Sequence, residues 1–351
     1  MSLRGYPESK SRAGKAFEQA IRSAKNPVLA LAQRKLYEWQ YNGSRHFFSL
    51  HTETVAVAWN GLNGSRHVFM SAAMDAGAKT LFFEGAPLPN RVTVDVTGVN
   101  FTNSLPRSIA PYMAWMAGSH VDPDTWRQAG RKITQRPPLK PAQASKKKAP
   151  PLSEPFLFIP LQVPNDSQLR IYGGAFNTVD LFVEAILDAA KNLPPGWHVR
   201  IKEHPSATQS IAHNFTNAID VPVYLDNTTD TFEQVAASHG VLTVNSSVGL
   251  EAMFYDKPVV AAGKCFWAIE GVAIAAPTKV ALARVMAKPD QLTFDVQARN
   301  AFMSFLTEVY YPELKPGDDG ALVCSAEDAE KIRLRLQGPD NLGFWKQQVG
   351  H

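Results

Sequence analysis

Four short stretches carry side chains of the kind that bind or move charge. The first is RIKEHP, residues 200–205, where an apolar strand ends in Lys202, Glu203, His204 and Pro205. A histidine at the end of a buried strand can donate to an anion, Lys202 adds positive potential beside it, and Pro205 fixes the turn and stops the sheet. The second is TVNSSVGLEAM, where a strand leaves through Asn245, Ser246 and Ser247 and a helix begins at once. Serines at that position cap backbone N–H groups, and the same groups, aimed outward, hold a phosphate. Gly249 permits a close approach, and Glu251 lies one turn into the helix. A serine pair alone is ordinarily a cap, and a His-Pro alone is ordinarily a turn. Both at the ends of parallel strands in one domain make phosphate binding the better reading.

The third stretch, FIPLQVPNDSQL, ends a strand at Gln162 and then presents Asn165, Asp166, Ser167 and Gln168. Asp166 reads equally as a helix cap and as a carboxylate held at the site. The fourth lies in the first half. LFFEGAPLPN places Glu84 at a strand end before Gly85 and two prolines, and Asp95 follows in the strand-like run RVTVDV. Upstream, WNGLNGSRH offers Asn60, Gly61, Gly64, Ser65 and Arg66 at another strand-to-helix mouth, suited to a carboxylate. Arg107 and Arg170 are further candidates for that carboxylate, and the sequence does not separate the three arginines. No DxD pair stands at a strand end and no GxxxxGK[ST] loop is present, so the motifs call for no Mg²⁺. His67, His120, His213 and His239 lack metal-ligand spacing.

These stretches need strands that end on common rims. Residues 54–59, 79–84 and 91–96 read as strands, with a helix over 65–76 making a βαβ unit. In the second half, strands at 156–162, 198–202, 222–225, 241–245 and 258–262 alternate with helices near 177–192, 207–218, 229–238 and 247–255. A further helix is expected near 326–337. Such alternation predicts parallel doubly wound sheets, hence α/β class with two Rossmann-like domains facing a cleft. The Pro- and Lys-rich segment 135–155 reads as an exposed linker. The expected organisation is an N-terminal domain over 1–134, a nucleotide-sugar domain over 156–338, and a tail over 339–351 returning to the first domain.

At 351 residues, two domains are the default, and 45% hydrophobic residues is ordinary for a globular chain. A net charge of +4 favours anionic small molecules or an anionic membrane surface and is too small and scattered to argue for nucleic acid. Two distant cysteines, Cys265 and Cys324, argue against a disulfide framework. The polar N-terminus without an apolar signal core, and the lack of an 18-residue apolar run, lead to a cytoplasmic expectation.

FFEGAPLPNRVTVDVTGVN, PLQVPNDSQ, KEHP and NSSVGLEAM followed by KPVV resemble, over roughly residues 55–265, the capsule polysaccharide synthesis proteins, in particular the retaining β-Kdo glycosyltransferases. After Glu84 the chain is one residue shorter than the family form, and residues 270–351 do not align. The resemblance implies the two-domain GT-B arrangement and CMP-Kdo as donor, with no cofactor required. It also implies that His204 and the Ser246–Ser247 turn, beside Lys202 and Pro205, hold the CMP phosphate, and that Glu251 takes the ribose hydroxyls. Asp166 would then be the nucleophile and Glu84 the acceptor-side acid/base, with Gln162, Gln168, Asn60, Arg66 and Arg107 around sugar and acceptor. The implied partners are a CMP-sugar and a glycan or glycolipid acceptor, with peripheral inner-membrane association left open and no nucleic acid. Two other readings stand beside it: a UDP-sugar epimerase-like enzyme on the same fold, and a non-catalytic polysaccharide-binding or assembly protein.

Overall fold

The computed structural model describes residues 5–20, 23–130, 133, 147–164, 166–207, 210–215, 220–317 and 321–337. The chain opens with α1 (Ser9–Gln19) and α2 (Pro27–Leu50), followed by β1 (Val55–Trp59), α3 (Gly64–Asp75), β2 (Lys79–Gly85) and β3 (Val92–Asp95). Asn26 starts α2 by accepting from the N–H groups of Val28 and Leu29, with Pro27 at the first helical position, where its missing N–H costs nothing. β1 and β2 pair in parallel through the α3 crossover, and β3 pairs antiparallel to β2.

Next come α4 (Ala110–Gly118), α5 (Thr125–Gly130), β4 (Phe156–Pro160), α6 (Ser167–Tyr172), α7 (Val179–Ala189), β5 (His198–Lys202) and β6 (Val223–Leu225). They are followed by α8 (Thr231–Ala237), β7 (Gly240–Thr243), α9 (Ser247–Met253), β8 (Val259–Ala261), β9 (Ile274–Ala275), α10 (Lys279–Ala287) and α11 (Val296–Phe305). The six strands form one parallel sheet in the order β6-β5-β4-β7-β8-β9. Counted from β4, this is the 3-2-1-4-5-6 order of a doubly wound sheet, whose direction of winding reverses between β4 and β7. Leu157, Ile159, Val199, Ile201, Leu242 and Val260 form one buried face with Phe182, Val183 and Ile186 of α7. The described residues end with the hairpin β10 (Leu314–Pro316) and β11 (Leu322–Cys324), and then α12 (Ala326–Gln337).

Two compact units result. Of the described residues, one holds those between 5 and 86, 90–106 and 308–337, and the other holds 87–89 and those between 107 and 307. This division departs from the expected one at both ends. Residues 107–130 group with the six-stranded sheet because the Tyr112 ring meets Phe302 and Phe305 edge-on at 5.1 and 5.2 Å, and Trp126 Nε1 donates to Asn300 Oδ1. Residues 308–337 return to the first unit. There Arg335, 4% exposed, donates to the carbonyls of Val94, Val309 and Tyr310, while Ile332 and Leu336 pack with Leu81, Val92 and Val94. Of the expected linker, Lys147 donates to the Val221 carbonyl and the Pro150 carbonyl accepts from Arg200, so this part lines the second unit. Residues 134–146 and the expected tail over 339–351 lie outside the described residues. The helix expected near 207–218 is reduced, among the described residues, to a single turn over Ala212–Phe215.

Candidate functional site

The C-terminal ends of β5, β4 and β7 are neighbours, so the KEHP, QVPND and NSS loops leave the sheet side by side at its switch point. Asn245 locks that point. Its Oδ1 accepts from Gln162 Nε2 at 2.9 Å, its N–H donates to Gln162 Oε1 at 3.4 Å, and its Nδ2 donates to the carbonyls of Gln168 at 3.0 Å and Lys264 at 3.3 Å. One side chain therefore ties together the loops after β4, β7 and β8. Gln162 was expected to touch sugar, but both ends of its amide face Asn245, which makes it a positioning residue.

Ser246 caps α9: its Oγ accepts from the Val248 N–H at 3.3 Å, and its own N–H donates to Thr243 Oγ1 at 3.3 Å. Ser247, the next residue, is exposed at the first helical position, and Glu251 is half-buried one turn on. Gly249 lets α9 press onto Trp267, because a Cβ there would lie 2.6 Å from the indole. The spacing of the serines and the glycine thus sets an outward-facing turn on one side of the helix and close packing on the other.

Each ionisable residue of KEHP has a distinct environment. Lys202 is 6% exposed and donates to the main-chain carbonyls of Asn227 and Thr229, and burial pulls its ammonium below the ordinary value. The expectation that it would face a phosphate is corrected accordingly, since its donors hold the 227–229 loop. Glu203 accepts from the Ile211 N–H at 2.6 Å and from Asn227 Nδ2 at 2.7 Å, while Asn227 Oδ1 accepts from the Glu203 N–H at 2.9 Å. His204 Nδ1 accepts from the Ser206 N–H at 3.0 Å, so in the neutral ring Nε2 carries the proton and is a donor. Pro205 stands half-buried in the turn between them.

Behind these loops, Arg200 pairs with Asp226 while 3% and 7% exposed. Burial pushes the Asp226 carboxyl up, but hydrogen bonds from Thr229, Arg200 and Thr228 outweigh it and hold the carboxyl far below its ordinary range. Removing one member of such a buried pair costs about 3–5 kcal/mol. A groove of about 860 Å³ opens beside this loop, lined among others by Lys148, Pro150, Leu152 and Thr228.

Asp166 stands at the β4 rim as the N-cap of α6, with Oδ1 accepting from the Gln168 N–H at 2.7 Å. Both readings of this residue concerned one carboxylate, and the capping bond occupies one of its two oxygens. Gln168 Nε2 is buried and meets no acceptor among the described residues. Asn165 lies outside the described residues. Arg170 is exposed on α6, and Arg107, exposed just before α4, is close enough to Cys265 after β8 for its charge to act on the thiol.

In the first unit, Asn60 and Glu84 end adjacent parallel strands and meet: Asn60 Nδ2 donates to Glu84 Oε2 at 2.6 Å, and the Gly85 N–H donates to Oε1 at 3.0 Å. Asn60 takes φ +66°, a conformation its short amide tolerates. Arg66 donates to the Trp59 carbonyl at 3.1 Å, so all three candidates gather at this one rim. Asp95, near the end of the strand-like run RVTVDV, is buried and accepts from Thr97, Gly98, Ser104 and Tyr310, a structural knot.

Sequence reasoning missed Asn245 as the keystone and the Glu203–Asn227 clip. The signal for the first was an amide between a buried strand and a serine cap. Among the described residues no helix is long and apolar enough to cross a membrane, and no cluster of three or more His, Cys, Asp or Glu could hold a metal ion.

These features define an α/β protein whose polar loops converge at the switch point of a six-stranded parallel sheet. The family model described as capsule polysaccharide biosynthesis protein matches residues 125–308, more than half of the chain, and the chain belongs to that family. Protein FixF of Sinorhizobium fredii is 28% identical over 262 residues, covering 74% of this chain and 60% of FixF. The capsule polysaccharide modification protein LipB of Neisseria meningitidis is 26% identical over 136 residues, covering 33% of this chain and 30% of LipB. The chain therefore spans less than two thirds of either relative. Among solved structures, the β-Kdo 2,7 transferase KpsC of Thermosulfurimonas dismutans aligns over 95% of this chain and 97% of its own, at 14% identity and a TM-score of 0.49.

Proposed function

We propose that the chain is a retaining glycosyltransferase of the GT-B type that moves Kdo from CMP-Kdo to a glycan or glycolipid acceptor in capsule or surface polysaccharide synthesis. The observation that supports it best is the pairing of a histidine fixed as an Nε2 donor with a capped serine turn, on strands that flank β4. Those loops start ~10 Å apart, two strand spacings, which suits a phosphate with its ribose. A CMP leaving group is already anionic and asks for stabilised charge rather than a proton, and oriented N–H and O–H donors supply that.

In this reading the second carboxylate oxygen of Asp166 attacks the anomeric carbon, and the bond to the phosphate oxygen breaks with its electron pair leaving on CMP. The acceptor hydroxyl then displaces Asp166 while Glu84 takes its proton, so configuration is retained. Glu251 takes the ribose hydroxyls, Gln168 and Arg107 serve the sugar, and Asn60 and Arg66 serve the acceptor side. The reaction is assigned to the cytoplasm, peripheral to the inner membrane where the acceptor is lipid-linked. Incubation with CMP-Kdo generated in situ and a panel of glycolipid and disaccharide acceptors should add the mass of one Kdo. No product with any acceptor, together with no binding of CMP, overturns the proposal, and stabilisation by UDP in place of CMP would redirect it to a UDP-sugar enzyme.

A further inference from the structure

α2 buries one face and leaves the other bare. Tyr37, Tyr41 and Phe48 pack inward, with Tyr37 and Tyr41 set among Ala13, Ala16, Val68 and Ala72. On the outer face Leu29, Leu36, Trp39, Phe47 and Leu50 are between 48% and 66% exposed, with Ala32 and Gly43 exposed among them. The spacing 29, 32, 36, 39, 43, 47, 50 steps throughout by three or four, the seam of a helix that packs against another helix along its length. Gly43 has no reason among the described residues: a Cβ there would meet none of them within 4 Å, and glycine weakens a helix interior. A glycine on an open helical face is explained by a close approach from outside.

We infer that α2 is the interface of a symmetric dimer, with the occupant a second copy of α2 running antiparallel. With the two-fold axis beside Trp39 and Gln40, Leu29 meets Leu50 of the second copy, Ala32 meets its Phe47, and Leu36 enters the gap left by its Gly43. Large residues face small ones at two of these pairs, and an isologous contact makes each pair twice. The ends also match in charge: exposed Lys25 precedes α2 and exposed Glu53 follows it, and an antiparallel pair brings these two ends of the copies together. The face carries no carboxylate, but its cations are few, Lys25 and Lys35 at its margin. A second protein surface therefore fits better than an anionic bilayer, which favours a dense basic rim.

Sedimentation equilibrium of the purified full chain at micromolar concentration tests this, with expected mass twice the 38.6 kDa of the chain. Leu36→Glu should weaken association at least 100-fold and leave the far-UV spectrum and CMP response unchanged. Gly43→Leu separates a helix effect from an interface effect. It should raise the Tm of the monomer, because leucine is the better helix former, and still weaken association at least 10-fold. A wild-type chain monomeric at ~100 μM, association unaffected by Gly43→Leu, or a monomer that co-sediments with phosphatidylglycerol vesicles would each overturn the dimer.

Discussion

At the rim of the six-stranded sheet the outward-facing residues are held by other buried polar groups, whereas at the rim of the three-stranded sheet they hold one another. His204, Ser246 and Ser247 stand on loops fixed by Gln162–Asn245, Glu203–Asn227, Lys202 and the Arg200–Asp226 pair. Asn60 and Glu84 bond directly, and Arg66, on α3, returns to the main chain of β1 at Trp59. The first arrangement fixes donors before a ligand arrives, as stabilising a leaving anion requires. The second has a single layer, in which changing one residue releases its neighbour.

The largest effect should come from the ring donor of the supported rim, the half-buried His204. His204→Ala is expected to lower kcat/KM by about 10²–10³-fold with stability changed by less than ~1 kcal/mol. Steady-state kinetics beside thermal melts check this, and full activity in the variant would remove the histidine from the site. Next comes a contrast between the rims. Asn245→Ala should cost about 10–100-fold in CMP affinity through misplaced loops, as supporting residues do elsewhere. Asn60→Ala should leave CMP affinity unchanged and alter only turnover with acceptor. Equal losses of CMP affinity in calorimetry would erase the distinction drawn between the two rims.

Acid should reveal one shielded histidine in each unit, the buried His198 and the half-buried His67. Burial and the nearby Arg200 charge lower the His198 pKa from 6.5 to about 4, and burial, with the charge of Lys15, lowers that of His67 likewise to about 4. Below pH 6.5 the unfolded chain therefore binds more protons than the folded one. The stability these neutral rings contribute is complete above about pH 6.5 and is lost progressively as pH falls toward 4, on the order of 2 kcal/mol each. His198→Phe, which keeps the ring stack on Phe156, should flatten that slope for the second unit in urea titrations at pH 7, 6 and 5. An unchanged slope would contradict it. Within the supported rim the smallest effect on the ligand should be that of Lys202→Met: CMP affinity within about threefold of wild type, with a loss of ~1–3 kcal/mol in stability from unsatisfied carbonyls. A large affinity loss without destabilisation would return Lys202 to the phosphate.

Much of the second unit was readable in the sequence, because fully buried parallel strands are short apolar runs and their exits are abrupt changes to polar residues. FLFIP, HVRIK and GVLT show this, and each ends on the rim that carries a candidate. HVRIK also hid a trap. His198, Arg200 and Lys202 alternate on one face, a pattern that reads as solvent or ligand, yet all three are buried under loops that accept from the two cations. The return of α12 to the first unit was not legible: the helix was expected within the domain over 156–338, and its docking depends on Arg335 meeting three carbonyls. Nor was the shortened helix after His204, where Glu203 reaches forward to take the Ile211 N–H. Long-range side-chain to backbone bonds leave no periodic trace, and Asn245, the keystone of the rim, is of that kind.

The central claim is that a cytidylate anion docks on the His204 Nε2 donor beside the serine turn. Long-range ¹H–¹⁵N spectra of the histidine side chains, recorded while CMP is titrated into the full chain, test it directly. The account predicts the Nε2–H tautomer for His204 before CMP is added, and a saturable shift of that nitrogen as it binds, absent with His204→Ala. An Nδ1–H tautomer, or CMP binding that leaves the His204 ring unmoved, would contradict it.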